Sequence, residues 1–211
     1  MCSRYFVELS PELRPIIEAA RRSPLAAKML NSLGKPVAKD GEIRPTDISA
    51  VICSNSRGMR AAFPMIWGFS MSDFENTKRS APLINTRIET AASKPTWKES
   101  YTRRRCIIPA SYYFEWQRIK TSDGRSKPGD RYIVQPEGSP IAFMAGVYRM
   151  EGEFPHFSIL TREPEPGFIH DRMPVLLKRE YVAEWINPAA SPERIKEIAG
   201  SAITAVVAEK D

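Results

Sequence analysis

Histidine and cysteine are scarce in this 211-residue chain, which has two of the first, His156 and His170, and three of the second, Cys2, Cys53 and Cys106. Two imidazoles argue against a zinc site built on several histidines. Three scattered cysteines with no C-x-x-C pair fit neither a zinc knuckle nor a disulfide framework. No metal and no cofactor are expected. Apolar runs fall far short of the ~20 residues that cross a bilayer. The N-terminus lacks a basic segment followed by an apolar one, so it does not read as a secretory signal. The expectation is a cytoplasmic protein with reduced thiols. What is there reads as an ordinary globular domain, 42% hydrophobic and 27% charged, which excludes collagen and wholesale disorder. The length fits one domain. A net charge of +6 is compatible with a nucleic-acid partner. No internal repeat or dividing linker is visible, and residues 1–211 are taken as a single domain.

Residues 4–9 read as a strand. Ser10-Pro11-Glu12 then supplies an N-cap, a first-turn proline and an early acid, predicting a helix towards Arg22 that Pro15 kinks. A second helix is expected over 26–32, stopped by Gly34, with an exposed loop over 34–46. Strand patterns recur at 50–54, 60–69, 107–109, 112–116, 132–134, 141–148, 157–160 and 202–208, with a hairpin loop over 121–130. Helices are expected at 178–186 and 192–199, the latter with Ser191 as N-cap and Gly200 as stop. Strands without a regular βαβ alternation predict an α+β fold with a mainly antiparallel sheet or barrel-like core and flanking helices.

Cys2 directly follows Met1, and a small second residue permits removal of that methionine. One residue would then carry an α-amine (pKa ~7.7–8.0) and a thiol (pKa ~8.5) on adjacent carbons. Such an amine condenses with an aldehyde to an imine, and the thiol closes on the imine carbon as a thiazolidine. No internal cysteine can do this, because its nitrogen is in an amide. Taken alone, position 2 reads as an arbitrary residue of a flexible terminus.

The wider pattern is more specific. Met1-Cys2-Ser3-Arg4-Tyr5, Arg44-Pro45-Thr46, Trp67-Gly68, residues 84–90 (Ile-Asn-Thr-Arg-Ile-Glu-Thr), residues 105–110 (Arg-Cys-Ile-Ile-Pro-Ala), Tyr113-Phe114-Glu115-Trp116 and His170-Asp171-Arg172-Met173-Pro174 follow one another along the chain. This ordered set, from residue 1 to about 190, resembles the SRAP family, the SOS-response-associated peptidase-like proteins that shield abasic sites in DNA. Ser3 stands where that family usually has glycine and Asp47 where glutamine is common. Asn85-Thr86-Arg87-Ile88-Glu89 replaces the usual Asn-Ala-Arg-Ser-Glu.

The resemblance implies that mature Cys2 cross-links to the ring-opened sugar of an abasic site in single-stranded DNA. The protein would work in the cytoplasm, on the nucleoid when bound to damaged DNA. It implies catalytic roles for Cys2, Asn85, Glu115 and His170. Asn85 would position the amine, Glu115 shuttle protons, and His170, titrating near neutrality, protonate the sugar ring oxygen. It also implies DNA contacts at Arg4, Pro45, Trp67, Arg87, Trp116, Thr161 and Arg172. The arginines suit phosphates, and apolar or aromatic groups suit the gap in the base stack at ~1–3 kcal/mol per base. On the residues alone, tryptophans are usually core, Asn85 could cap a turn, and His170-Asp171-Arg172 could be a hydrogen-bonded corner. Imine formation also makes β-elimination plausible as a side reaction. Two other classes stay open: a thiol peptidase using Cys2 with His170, acting even on its own N-terminus, and a nucleic-acid-binding module without chemistry. Arg103-Arg104-Arg105 reads as a solvated basic face or a distal phosphate contact, and Cys53 and Cys106 as small buried hydrophobes.

Overall fold

The structure, a computed structural model, describes residues 2–70, 81–121 and 124–211. Met1, whose removal the Cys2 chemistry requires, lies outside the described residues, as do Ser122 and Asp123 of the expected hairpin loop. The chain enters as β1 (Arg4–Val7), followed by α1 (Arg14–Arg21), α2 (Pro24–Leu33), β2 (Gly41–Ile43), β3 (Ile48–Ser54) and β4 (Arg60–Trp67). Next come β5 (Asn85–Arg87), α3 (Ile88–Ala91) and α4 (Pro95–Arg103). The rest is β6 (Arg105–Ala110), β7 (Tyr112–Lys120), β8 (Ser126–Pro136), β9 (Ala142–Glu151), β10 (Phe154–Arg162), β11 (Met173–Pro174), a 3-10 turn at Arg179–Tyr181, α5 (Val182–Trp185), α6 (Pro192–Gly200) and β12 (Val206–Lys210).

The fold is α+β, as expected. β4, β3, β6 and β9 pair antiparallel in that order, β9 pairs with β10, and β10 returns to β4 to close a barrel-like ring. The closing contacts are parallel, as are those between β10 and β5, which extends the β4 edge. A second, wholly antiparallel sheet runs β12-β8-β7-β1-β2.

Alternation divides the core between two clusters. Val51 and Cys53 of β3, with Cys106 and Ile108 of β6, join Tyr5, Trp67, Tyr113 and Phe157. Ile52 and Ile107, on the opposite faces of the same strands, join Leu160, Val175 and Trp185. β6 is buried along its whole length, as a strand covered on both faces must be. Each fully buried side chain of this kind contributes about 1.5–3 kcal/mol.

Local expectations need correction at four places, one being the 121–130 loop, whose second half is the start of β8 paired with β7. α1 begins at Arg14, not after Ser10, because Pro15 lacks an N–H and fits only the first turn. Ser10 instead opens the turn at residues 11–13 that leads into α1, its Oγ accepting from the Leu13 amide at 3.3 Å. The 34–46 loop contains β2, an edge strand that β1 recruits by backbone pairing. α4 went unpredicted, although Pro95 in its first turn is a helix-start signal. α2 ends at Gly34, at φ 66°, as expected, but begins earlier, at Pro24, with Ser23 as its N-cap.

Candidate functional site

β1 lies antiparallel on β7 with Arg4 opposite Phe114 and Tyr5 opposite Tyr113. The residues before β1 therefore run towards Glu115 and Trp116. Just beyond, a register shift between Trp116 and Arg118 interrupts the β7–β8 ladder. Such bulges bend a strand and re-aim its side chains. Here it opens a cleft of about 460 Å³ whose walls include Arg87, Glu115, Trp116, Arg118, Lys127 and His170. A second hollow of about 540 Å³ shares Arg87, Arg118, His170, Asp171 and Arg172 and extends the groove past Lys120.

Cys2 is fully buried, its thiol donating to the Arg4 carbonyl at 3.5 Å. Burial pushes that thiol far above its ordinary pKa, and the charge of Glu115 adds to the rise. Asn85, brought in by the pairing of β5 with β10, donates from Nδ2 to the Cys2 carbonyl at 2.7 Å. Its Oδ1 is buried and has no hydrogen-bond partner among the described residues.

Glu115 is 1% exposed, and its Oε1 accepts from the Trp116 amide at 3.3 Å. Removal from water disfavours the charged carboxylate and raises its pKa to about 7. His170 sits on the β10–β11 loop, which the Arg118 amide ties to β7 by donating to the Ile169 carbonyl at 3.0 Å. Its Nε2 lies 3.9 Å from Glu115 Oε1. Its Nδ1 lies 3.1 Å from the Arg172 amide and 2.6 Å from Asp171 Oδ1. Accepting from the amide puts the ring proton on Nε2, facing Glu115, whereas donating to Asp171 leaves Nε2 as a base. Burial lowers the imidazole pKa to about 4, with the Arg118 cation assisting and Asp171 opposing. The expectation that His170 titrates near neutrality is thus corrected: Glu115 does, and His170 is neutral there.

The structure sorts the other sequence-predicted residues sharply. Arg87 is exposed on the cleft wall, and its side chain makes no hydrogen bond or ion pair among the described residues. Trp116 is half-buried in the same wall, and Pro45 is half-buried in a turn. That turn holds Thr46 at φ 74°, an unusual conformation for a β-branched residue. It is fixed by the Thr46 amide donating to the Trp67 carbonyl at 2.8 Å and by Asp47 accepting from the Arg44 amide at 2.8 Å.

Three expected DNA contacts instead face inward. Trp67 is fully buried against Tyr5 and Phe157, with Nε1 donating to the Ile84 carbonyl at 3.0 Å. It anchors the residue before Asn85 and has no free face for a base. Arg172 is 6% exposed and clamps both carboxylate oxygens of Glu89, at 2.8 and 2.9 Å, while donating to the Thr161 carbonyl at 2.5 Å. Thr161 is fully buried too, its hydroxyl turned to the Thr86 carbonyl. Arg4 remains half-exposed but pairs with Glu42. Sequence reasoning missed Arg118, which pairs with Asp171, and Lys120 and Lys127 on the groove. The basic spacing of the β7–β8 hairpin was their only signal. Among the described residues no three His, Cys, Asp or Glu side chains gather as a metal site would require.

The model of the SOS response associated peptidase (SRAP) family matches residues 1–208. The chain belongs to the SRAP family. Similar proteins include abasic site processing protein YoaM of Bacillus subtilis, 32% identical over 63% of this chain and 60% of the relative. Abasic site processing protein YedK of Escherichia coli is 32% identical over 65% of this chain and 60% of its own length. Abasic site processing protein HMCES of Rattus norvegicus is 29% identical over 61% of this chain and 45% of its own. The chain thus spans about 60% of the length of the curated relatives it matches first. Among solved structures, a Bacteroides thetaiotaomicron protein superposes with a TM-score of 0.69 at 20% identity, covering 99% of this chain and 91% of that one. A phage-related protein of Bordetella bronchiseptica gives 0.67 at 20%, covering 100% and 94%. These two share the fold seen here.

Proposed function

We propose that this chain processes abasic sites in DNA, capturing the ring-opened sugar on Cys2 after removal of Met1. The observation that carries the proposal is Asn85, which holds the Cys2 carbonyl with Nδ2 while its buried Oδ1 has no partner. A freed Cys2 α-amine is the donor that this oxygen lacks. The relatives' names point to the same lesion.

The chemistry follows from the protonation states. A protonated Glu115 donates to the sugar ring oxygen, while neutral His170 takes the proton of the C1′ hydroxyl, giving the aldehyde. The amine adds to C1′, and loss of one water leaves an imine. The thiol then adds to that carbon, forming the S–C bond and passing its proton to nitrogen. Its raised pKa suits this order, because it stays a thiol until the imine is made. The same rise disfavours the peptidase reading, in which a thiolate must attack first. An imine that escapes ring closure loses its C2′ proton to the Glu115 carboxylate, and the 3′ phosphate leaves with the C–O electron pair. That is the β-lyase side reaction.

Single-stranded DNA is the favoured partner, because the groove that carries Arg87, Lys120 and Lys127 is open and the sugar must be reached directly. The test is covalent capture. Wild-type protein is expected to give a denaturation-resistant adduct with an abasic single-stranded oligonucleotide and none with intact DNA. Cys2→Ser, or a residue inserted between Met1 and Cys2, is expected to abolish it. A normal adduct from the insertion variant would refute the thiazolidine.

A further inference from the structure

Arg105, 4% exposed, is a buried cation that no carboxylate neutralises among the described residues. Four of its five N–H groups are taken by the carbonyls of Trp185, Tyr101, Thr102 and Asn187. Carbonyl dipoles, two of them from the last turn of α4, offset part of the charge and leave it net positive. Arg105 forms one wall of a hollow of about 280 Å³ shared with Asn55, Ser56, Arg103, Arg104 and Tyr148. This hollow shares no lining residue with the Cys2 cleft.

Three arginines and no acidic residue line it. The cleft, by contrast, has Glu115 and Asp171, its extension Glu163 and Glu165, and the hollow beside α1 has Glu12. The remaining polar groups also favour an anion. Asn55 Oδ1 is held by the Arg57 and Met59 amides at 2.9 and 3.0 Å, which fixes the side-chain flip and leaves its NH₂ as the free end. Arg103 is exposed and makes no ion pair among the described residues. Arg104 pairs at 3.0 Å with Glu99, a carboxylate 67% exposed to solvent. Such a pair is weak and readily exchanged.

We propose that this hollow is a second anion site that binds a phosphate group through Arg103, Arg104, Asn55 and Ser56, above the buried Arg105. Guanidinium forks match phosphate oxygens in pairs, and a phosphate supplies the counter-charge the hollow lacks. The phosphate comes either from a nucleic-acid backbone or from a free phosphorylated compound. The proposal does not depend on the Cys2 chemistry.

The test uses the full chain, isotope-labelled for amide NMR and titrated with inorganic phosphate against chloride at equal ionic strength. Saturable shifts at residues 54–56 and 103–105 are expected from phosphate alone. In the double variant Arg103→Ala, Arg104→Ala the affinity is expected to fall about tenfold or more, with the spectrum otherwise retained. Ser56→Ala is expected to weaken it less. A second arm measures intact single-stranded DNA binding against salt. A slope reduced by ~0.7 per lost contact in the double variant identifies the DNA backbone as the source. An unchanged slope with the phosphate response intact identifies a free phosphate compound. No saturable response, one that chloride reproduces, or one that survives in the double variant overturns the proposal.

Discussion

His170 Nε2 faces Glu115 Oε1 at 3.9 Å, one group on the β10–β11 loop and the other on β7. Burial acts on both in the same sense, towards neutrality, and so moves their pKa values in opposite directions. The carboxyl rises to about 7 and the imidazole falls to about 4. Near neutral pH the pair therefore offers an uncharged base beside a carboxyl that is partly protonated, the combination that ring opening and imine formation require.

This pairing sets the pH dependence of capture. The carboxyl must be protonated and the Cys2 amine free, so the single-turnover adduct rate is expected to be bell-shaped with its top between about 7 and 8. Glu115→Gln is expected to be slower throughout and to lose the falling limb, leaving a rise to a plateau as the amine deprotonates. A falling limb that persists in the variant assigns it to another group.

Glu115 also carries a stability cost with a definite sign. Its folded pKa lies above its unfolded one, so the native state binds more protons between about pH 4.5 and 7 and loses stability as pH rises through that window. The shift corresponds to about 3 kcal/mol at pH 8. His170 has the opposite sign, losing stability as pH falls from about 6.5 to 4. The comparison of Glu115→Gln with wild type removes the histidine contribution. Urea unfolding is expected to show the variant's relative stability growing with pH and levelling above about 7. A pH-independent difference contradicts the raised carboxyl.

Trp67→Phe separates support from stacking. It removes one of the two hydrogen bonds to the Ile84 carbonyl, which keeps that from the Ile159 amide, and leaves space beside Tyr5 and Phe157, so it is expected to cost about 1–3 kcal/mol in unfolding free energy. The adduct rate is expected to fall, because Asn85 loses its neighbouring anchor. Reversible DNA affinity, measured with Cys2→Ser, is expected to stay within about twofold, whereas a stacking role would cost ~1–3 kcal/mol of binding.

Arg87 and Arg172 are expected to part company. Arg87→Ala should weaken DNA binding at low salt and flatten the log affinity against log salt plot by ~0.7, without changing stability. Arg172→Ala should chiefly destabilise, by about 1–3 kcal/mol, because it removes a buried guanidinium that ties the half-exposed Glu89 carboxylate to the Thr161 carbonyl. Equal salt-slope changes in folded forms of the two variants would put Arg172 back on the DNA.

The sequence made some of this site legible and concealed the rest for identifiable reasons. Cys2, Asn85, Glu115 and His170 were singled out only through the ordered motifs that resemble the SRAP family, and the structure brings Cys2 to Asn85 and Glu115 to His170. Whether an arginine or a tryptophan points outward is decided by pairing that spacing does not reveal. Glu89 claims Arg172, Glu42 claims Arg4, and the Tyr5–Phe157 layer encloses Trp67. The pKa order of Glu115 and His170 is a product of burial and was misjudged for that reason. The groove's Arg118, Lys120 and Lys127 depend on a bulge at Trp116–Arg118 that leaves no clear mark in the residues. Most strands were legible from their β-branched and aromatic runs. β2 was not, because its edge position comes from β1 rather than from its own composition.

Intact mass, before and after incubation with an abasic single-stranded oligonucleotide, tests the central claim most directly. The expected free protein lacks Met1, and the expected adduct equals protein plus oligonucleotide less one water and is stable to borohydride. An adduct that retains Met1, or one that forms equally with Cys2→Ser, would contradict capture by the Cys2 amine and thiol.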